Sequence, residues 1–194
     1  AERVSEDHAQ IDVLINNAGV LKMPNPHSAS GEDLRFVVNT FAPVLLSHLL
    51  LPKMPADGRL VHLSSAAQAP VNLAALGGKG RLADMDAYAQ CMLALTMWSK
   101  AFADAHPDGP LSGAVNPGSL LASKMVKEGF GVAGSDLSIG ADILIAAALS
   151  DKFADASGLY FDNVAKRFAP PHPDARNDAK RAAVVAAINS RLGL

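Results

Sequence analysis

Residues 58–65, Gly-Arg-Leu-Val-His-Leu-Ser-Ser, and residues 88–92, Tyr-Ala-Gln-Cys-Met, decide how this chain folds. The first run is rich in residues that favour β structure, and it predicts a strand that ends in two serines. The second run belongs to a long pattern of apolar residues at helical spacing, which predicts a helix with Tyr88 in its first turns. A hydroxyl at the end of a strand and a phenol on the next helix could together form a proton-transfer site.

Three further apolar runs predict strands, at residues 11–15, 111–115 and 158–162. Helical patterns separate the strands, and connections of this length require neighbouring strands to run parallel. The predicted helices run from Glu32 to about Pro52, from Asp86 to about His106, from Ser135 through Ala148, and from Pro173 to about Leu192. Pro43 predicts a kink near Asn39, because it cannot donate to that carbonyl and crowds it. The predicted fold class is therefore α/β, with a doubly wound parallel sheet.

Polar or glycine-containing turns follow three of the predicted strands, at residues 16–19, 64–65 and 116–119. The carboxyl ends of parallel strands meet at one edge of the sheet, where doubly wound proteins bind their ligands. We therefore expect a binding site at this edge. Residues 119–134 are expected to form a substrate flap over it, and the apolar residues of this flap suggest an apolar small-molecule substrate.

Composition excludes several classes of function. The chain has 194 residues, which suits a single domain, and its net charge of −2 without a basic stripe argues against a nucleic-acid surface. The single cysteine, Cys91, excludes an intrachain disulfide framework and fits the cytoplasm, and the six histidines lack metal-ligand spacing. No membrane span is expected, because Asp142 interrupts the most apolar candidate, residues 139–149.

The motifs in this order resemble the short-chain dehydrogenase/reductase family. The matching residues are Asn16-Asn17-Ala18-Gly19 after the first strand, Asn39 at the helix kink, Ser65 at the second strand end, Tyr88, and Asn116-Pro117-Gly118. Residues 155–163 and 171–174 resemble the retinol-dehydrogenase-like branch. The resemblance implies that residues 1–194 form a single, partial Rossmann-like domain that contains only the C-terminal strands of the family sheet.

The resemblance also implies a reaction in which a carbonyl is reduced or an alcohol oxidised. Tyr88 would then donate or accept the proton, Ser65 would polarise the same oxygen, and Asn39 would complete the catalytic set. The implied cofactor is NAD or NADP. The residues implied to bind it are Asn16, Ala18, Gly19, Pro117 and Gly118.

Two departures from the family put this activity in doubt. The family places a lysine four residues after the tyrosine, where it stabilises the phenolate and binds the nicotinamide ribose; here that residue is Met92. A thioether supplies neither a charge nor a hydrogen-bond donor. In addition, no Gly-x-x-x-Gly-x-Gly turn occurs in the chain, so the backbone donors that would bind the cofactor pyrophosphate are missing. The chain is therefore expected to be incomplete at its N-terminus.

An incomplete sheet would expose strand Ile11–Ile15, and an exposed strand edge tends to pair with another chain. We therefore expect a homo-oligomer that associates through this strand or through helix Asp86–Ala105. The apolar stripe of that helix is Cys91, Leu95, Trp98 and Phe102, which fits either the core or a subunit interface.

Two alternative functions remain open from the sequence. The chain could be a serine esterase-like hydrolase that uses Ser65, or a non-catalytic oligomeric binding protein. His62 alternates with Leu63 and should point away from Ser65, so burial is expected rather than a role as the base for that serine.

Overall fold

The computed structural model describes residues 1–194 as an α/β domain around one five-stranded sheet. The strands, in their order across the sheet, are β1 (Val13–Asn16), β2 (Arg59–Leu63), β3 (Leu111–Asn116), β4 (Tyr160–Asp162) and β5 (Arg167–Phe168). The first four strands are parallel, as predicted, and β5 returns antiparallel to β4. The sequence did not predict β5.

Eight α-helices flank or cover this sheet. They are α1 (Glu2–Asp7), α2 (Leu34–Phe36), α3 (Ala42–Leu50), α4 (Leu73–Leu76), α5 (Asp84–Ala105), α6 (Lys124–Phe130), α7 (Ser138–Leu149) and α8 (Asp178–Leu192). Two of the predicted helix starts, Asp86 and Ser135, are wrong. Helix α5 begins two residues before Asp86. Helix α7 begins at Ser138, whose N–H donates to the carboxylate of Asp136. The N–H of Ser135 donates instead to the carbonyl of Leu120.

The two faces of the sheet carry separate apolar cores. On one face, Leu60 of β2 packs with residues of α3, α5 and α8 in the larger core, and Leu14 of β1 lies against it. On the other face, Val61 packs with Ile143 of α7. Because Ile15 is paired in register with Val61, it points toward α7. This division follows the alternation of side chains along each strand.

The kink predicted between Asn39 and Pro43 is a π-helical turn, Val37–Phe41, that joins α2 to α3. Proline has no backbone N–H, so the carbonyl four residues earlier loses its α-helical donor. At the end of the turn, the N–H of Ala42 bonds to the carbonyl of Val37 instead. The wider turn leaves Asn39 buried and directed toward the end of β1.

The helical segment Leu34–Lys53 is long and apolar enough to cross a membrane by length and composition, with a mean hydropathy of 1.6. Half of its most apolar window is buried inside the domain. The expectation that no apolar run reaches membrane-spanning length is wrong for this segment by length and composition, and residues 139–149 lie in a shorter apolar helix, Ser138–Leu149.

Helix α5 is the most enclosed of the helices. Leu95, Trp98 and Phe102 are at most 4% exposed and pack within the larger core, and α8 lies along the same helix. The apolar stripe of α5 is therefore part of the core of this chain. Strand β1, by contrast, lies at the edge of the sheet, and Ile15 is 39% exposed.

Candidate active site

A cavity of about 720 Å³ opens at the carboxyl edge of the sheet. It is bounded by the ends of β1, β2 and β3, the first turns of α5, and the segment that includes α6. All eight residues predicted for catalysis or cofactor binding line it: Asn16, Ala18, Gly19, Asn39, Ser65, Tyr88, Pro117 and Gly118. The structure therefore brings together residues that lie up to 102 positions apart in the chain.

Tyr88 is half-buried in this cavity, and Ser65 lines the same space. Burial raises the pKa of Tyr88 above its ordinary value of 10.0, and the interaction with Ser65 opposes this shift without cancelling it. At neutral pH the tyrosine is therefore a protonated phenol. It is suited to donate a proton rather than to accept one.

The two serines at the end of β2 have different environments. Ser64 is buried, and its hydroxyl lies 2.8 Å from the hydroxyl of Thr96. The hydroxyl oxygen of Ser65 accepts a hydrogen bond of 3.1 Å from the N–H of Ala67 and remains partly exposed. Ser65 is therefore the more exposed of the two serines at the cavity that Tyr88 also lines.

Met92 lines the same cavity one helical turn after Tyr88 and is 4% exposed. No cation of α5 compensates for it. Lys100, the next lysine of the helix, pairs with Asp104 and borders a different cavity. The one cation that lines the cavity is Lys124 of the flap, whose side chain is 85% exposed. The local environment of Tyr88 is therefore apolar where the family has a positive charge.

Asn39 reaches the cavity but makes its hydrogen bonds to the loop after β1. Its amide oxygen accepts from the N–H of Val20 at 2.8 Å, and its amide nitrogen donates to the carbonyl of Val20, also at 2.8 Å. The side chain thereby fixes the turn that contains Ala18 and Gly19. The contribution of Asn39 seen here is to hold this turn in place.

Asn16 is held in a buried polar network. Its amide nitrogen lies 3.0 Å from Nδ1 of His62 and 3.3 Å from the hydroxyl of Ser47. The other ring nitrogen of His62 lies 3.3 Å from the hydroxyl of Ser112. Since the amide nitrogen can only donate, Nδ1 accepts and the ring is the neutral tautomer with its proton on Nε2.

His62 is fully buried, as the sequence predicted, and burial lowers its pKa to about 3. Both of its nitrogens are occupied on the interior side of β2. His62 therefore cannot act as a base for Ser65. The hypothesis of a serine esterase-like hydrolase thus lacks a general base for Ser65, since no His, Asp or Glu lines the cavity.

The segment 119–134, predicted to be a flap, covers one side of the cavity. Its base is closed by two backbone hydrogen bonds of 2.7 Å, from Ala122 to Ser135 and from Ser135 to Leu120. Its helix, α6, packs on the turn after β1: a Cβ added to Gly19 would lie 3.4 Å from Cε of Met125. The residues of this segment that line the cavity are Ser119, Leu120, Leu121, Ser123, Lys124, Met125, Val126 and Phe130.

Sequence reasoning missed a buried ion-pair cluster that joins the two helices of the site. Arg35 of α2 is fully buried and donates to both carboxylate oxygens of Asp33, at 2.8 and 2.7 Å. It also donates to Asp84 at 2.6 Å and to the carbonyl of Leu82 at 3.2 Å. The cluster fixes the start of α5, and hence Tyr88, relative to the helix that carries Asn39.

Comparison with known proteins agrees with this geometry. Residues 1–130 match the family model for short chain dehydrogenases. The chain is 28% identical to human retinol dehydrogenase 13 and 30% identical to bovine retinol dehydrogenase 12. In both cases the match covers 93% of this chain and 61% of the relative. The chain thus spans about three fifths of the length of these relatives.

Solved structures show the same fold. An uncharacterised protein from Mycobacterium paratuberculosis aligns with a TM-score of 0.67 at 23% identity, covering 97% of this chain and 69% of that one. A short chain dehydrogenase from Escherichia coli CFT073, solved in complex with NADPH, aligns with a TM-score of 0.61 at 25% identity. This alignment covers 84% of this chain and 66% of the other. The chain belongs to the short-chain dehydrogenase family.

Proposed function

We propose that this chain carries the catalytic half of an NAD(P)-dependent oxidoreductase that interconverts a carbonyl and an alcohol. The observation that supports this most directly is the shared cavity. The hydroxyl of Ser65 and the phenol of Tyr88 face the same space as the turns at residues 17–19 and 117–118. Family membership supports the same reaction class.

The residues present fit one end of a dinucleotide. The turns at Ala18–Gly19 and Pro117–Gly118 border the cavity with small side chains, which leaves space for a nicotinamide and its ribose. The pyrophosphate end of the cofactor lacks its usual binding element, since these 194 residues contain no Gly-x-x-x-Gly-x-Gly turn. At the nicotinamide ribose, Met92 offers no hydrogen-bond donor. We therefore propose that binding of NAD or NADP needs polypeptide beyond these residues.

When bound, the nicotinamide supplies or accepts a hydride. The protonated phenol of Tyr88 can protonate the oxygen of a reduced carbonyl, because an alkoxide is a stronger base than a phenolate. The hydroxyl of Ser65, whose oxygen accepts from the N–H of Ala67, has one proton that it can donate to the same oxygen. With the pKa of Tyr88 raised, the protonated phenol that the reduction step requires is the form present at neutral pH.

An apolar small molecule is the proposed substrate. Apolar side chains of the flap and of residues 137–144 line the cavity. These include Leu120, Leu121, Met125, Phe130, Leu137 and Leu144. Such a surface favours an apolar body next to the carbonyl, because its burial removes apolar area from water. Retinol dehydrogenase is the name of the two relatives compared above, and it is not carried over to this chain.

The experiment that tests the function compares the chain with its Met92→Lys variant. Each is measured alone and fused behind the N-terminal strand–helix units of a relative, by titration with NADH and NADPH and by carbonyl reduction. We expect the fused chains to bind cofactor and the lysine to raise turnover. Absence of both binding and turnover in the fused Met92→Lys chain would contradict the proposal.

The pKa of Tyr88, followed by ultraviolet absorbance, provides a readout that does not require activity. Met92→Lys should lower this pKa, because a nearby cation stabilises the phenolate. Ser65→Ala should raise it, and Ser64→Ala should leave it unchanged, since Ser64 is bonded to Thr96. The absorbance change that is missing in Tyr88→Phe is the one caused by ionisation of Tyr88. If Tyr88 had the same pKa in the two serine variants, Ser65 would not be a neighbour of the phenol.

We also propose that a second copy of the chain pairs with strand β1, in the cytoplasm. The unpaired edge of β1 and the exposed Ile15 support the contact. The lone cysteine, Cys91, is buried and free, which suits a reducing compartment. Light scattering should give a dimer mass, and Ile15→Lys should shift it toward the monomer. A monomeric parent chain would overturn the contact.

A further inference from the structure

A second cavity, of about 520 Å³, lies apart from the catalytic one and shares no lining residue with it. Its walls come from the second half of α5, from β4, from residues 168–171 and from the start of α8. Small-molecule sites in proteins have volumes of roughly 300–1,000 Å³, so this space is large enough for one.

The lining combines apolar surface with positive charge. The apolar part is formed by Leu159, Tyr160, Phe168, Ala169, Pro170, Pro171 and Ala175. Three cations, Lys100, Arg176 and Arg181, line the same space, against a single carboxylate, Asp178. Drug-sized pockets combine apolar walls with a few polar groups in this way.

The cations differ in what already neutralises them. Lys100 pairs with Asp104, and Arg181 pairs with Asp178 at 2.8 Å. Arg181 also donates to the carbonyl of Ala175 at 3.0 Å. Arg176 takes part in none of the eight ion pairs of the chain and in none of its side-chain hydrogen bonds. Its guanidinium is therefore available to an external acceptor.

We propose that this cavity binds an amphiphilic anion, with an apolar body on the Phe168 and Tyr160 side and a carboxylate or phosphate head on Arg176. A guanidinium presents a planar pair of donors that matches either head group. An inorganic anion would leave the apolar wall exposed to water, and a neutral apolar molecule would leave the cation unpaired. The two parts of the lining together specify the ligand class.

Two residues of this cavity also hold the serines of the catalytic edge. Thr96 lies 2.8 Å from the hydroxyl of Ser64, and the hydroxyl of Tyr160 donates to the carbonyl of Ser65 at 3.0 Å. Both line the second cavity and not the first. Their backbone amides therefore report on a ligand in this cavity, and the amides of Asn17 and Tyr88, which line only the catalytic cavity, show whether the ligand binds there instead.

The test is calorimetric titration of the chain with decanoate, decyl phosphate, decanol and inorganic phosphate, together with amide chemical-shift mapping. We expect one of the two amphiphilic anions to bind with shifts at Thr96 and Tyr160, and the comparison shows which head group is preferred. Arg176→Gln should weaken that binding by about tenfold or more, as expected for loss of a charged hydrogen bond. Because Arg176 makes no internal bond, this variant should keep the parental melting temperature.

Arg167→Gln is the matched control. Arg167 lies on the neighbouring strand β5, carries the same charge and does not line the cavity, so its variant should bind like the parent. The proposal is overturned if neither anion binds, or if decanol or phosphate alone binds as tightly as the preferred amphiphile. It is equally overturned if Arg176→Gln binds like the parent, or if the shifts appear at Asn17 and Tyr88 instead.

Discussion

The side chain of Asn39 binds both backbone polar groups of Val20, with two hydrogen bonds of 2.8 Å. An amide side chain is suited to this task because it carries a donor and an acceptor side by side. The π-helical turn Val37–Phe41 directs this amide at the loop. The irregular helix and the turn after β1 are therefore one structural unit.

Replacing Asn39 should loosen that turn. Asn39→Ala removes both partners of Val20 and should destabilise the fold by about 1–3 kcal/mol, the cost of leaving buried polar groups unsatisfied. Asn39→Asp keeps the acceptor but places an unpaired carboxylate at a buried position against the carbonyl of Val20, so its loss should be larger than that of alanine. Hydrogen exchange at the Val20 amide and urea unfolding measure the two effects. Unchanged exchange in the alanine variant would show that the turn is held by other contacts.

The buried ion-pair cluster around Arg35 should contribute more to the stability of the fold than the hydrogen bonds of Asn39. Arg35→Met leaves the carboxylate of Asp33 buried without its partner, which costs about 3–5 kcal/mol in comparable pairs. Burial alone would raise the pKa of Asp33, and the hydrogen bonds and charge of Arg35 outweigh burial and lower it. Without Arg35 the carboxyl should therefore take up a proton at a higher pH.

The double variant Arg35→Met/Asp33→Asn tests this explanation. It removes the charge while keeping an oxygen to cap the helix, where Asp33 now accepts from the N–H of Arg35 at 3.0 Å. We expect it to recover much of the lost stability in urea unfolding. No recovery would mean that lost packing, rather than the isolated carboxylate, causes the destabilisation.

The base of the flap contains a glycine that no other residue can easily replace. Gly134 has φ of +78°, and an added Cβ would lie 2.7 Å from backbone atoms of Leu120 and Ala122. Gly131 has a similar φ of +69° but nothing within 4 Å of an added Cβ. Both alanine variants should carry the strain of a left-handed residue, about 1–2 kcal/mol, and only Gly134→Ala should also disrupt the two hydrogen bonds at the base.

Limited proteolysis of the flap separates these two costs. Gly134→Ala should be cut within residues 119–134 much faster than the parent, while Gly131→Ala should be cut at nearly the parental rate. Similar cleavage of the two variants would indicate that strain alone, and not the close backbone contact, controls the flap.

Much of this architecture follows from local patterns in the sequence. The parallel strands and their polar ends are predictable because each strand is a short apolar run followed by a turn. Once the strands are parallel, their carboxyl ends must share an edge. Ser65 and Tyr88 could be placed in one site for that reason, without knowledge of any tertiary contact.

Features that depend on distant partners were not predictable. Strand β5 is two exposed residues, and its pairing is supported by the rings of Phe161 and Phe168, 5.1 Å apart between centroids. Arg35 is a charged residue at a fully buried position, contrary to the usual preference, and its partner Asp84 is 49 residues away. Nothing in the local sequence around either element signals these contacts.

The buried His62 should make the stability of the fold depend on pH. Burial lowers its pKa from 6.5 to about 3, so the folded protein keeps the ring neutral at pH values where the unfolded chain binds a proton. The contribution of His62 is thus fully present above pH 6.5 and declines as the pH falls toward 3. The expected slope in acid is about 1.4 kcal/mol per pH unit.

His62→Gln should flatten that dependence. Glutamine can still accept from Asn16 and donate to Ser112 but cannot take up a proton, so its free energy of unfolding should change less between pH 7.5 and pH 5. The control is His8→Gln, at the exposed end of α1, which should retain the parental slope. Urea unfolding at several pH values measures all three chains. If His62→Gln and the parent lose stability in parallel, other groups control the acid sensitivity and the neutral imidazole bound to Asn16 does not.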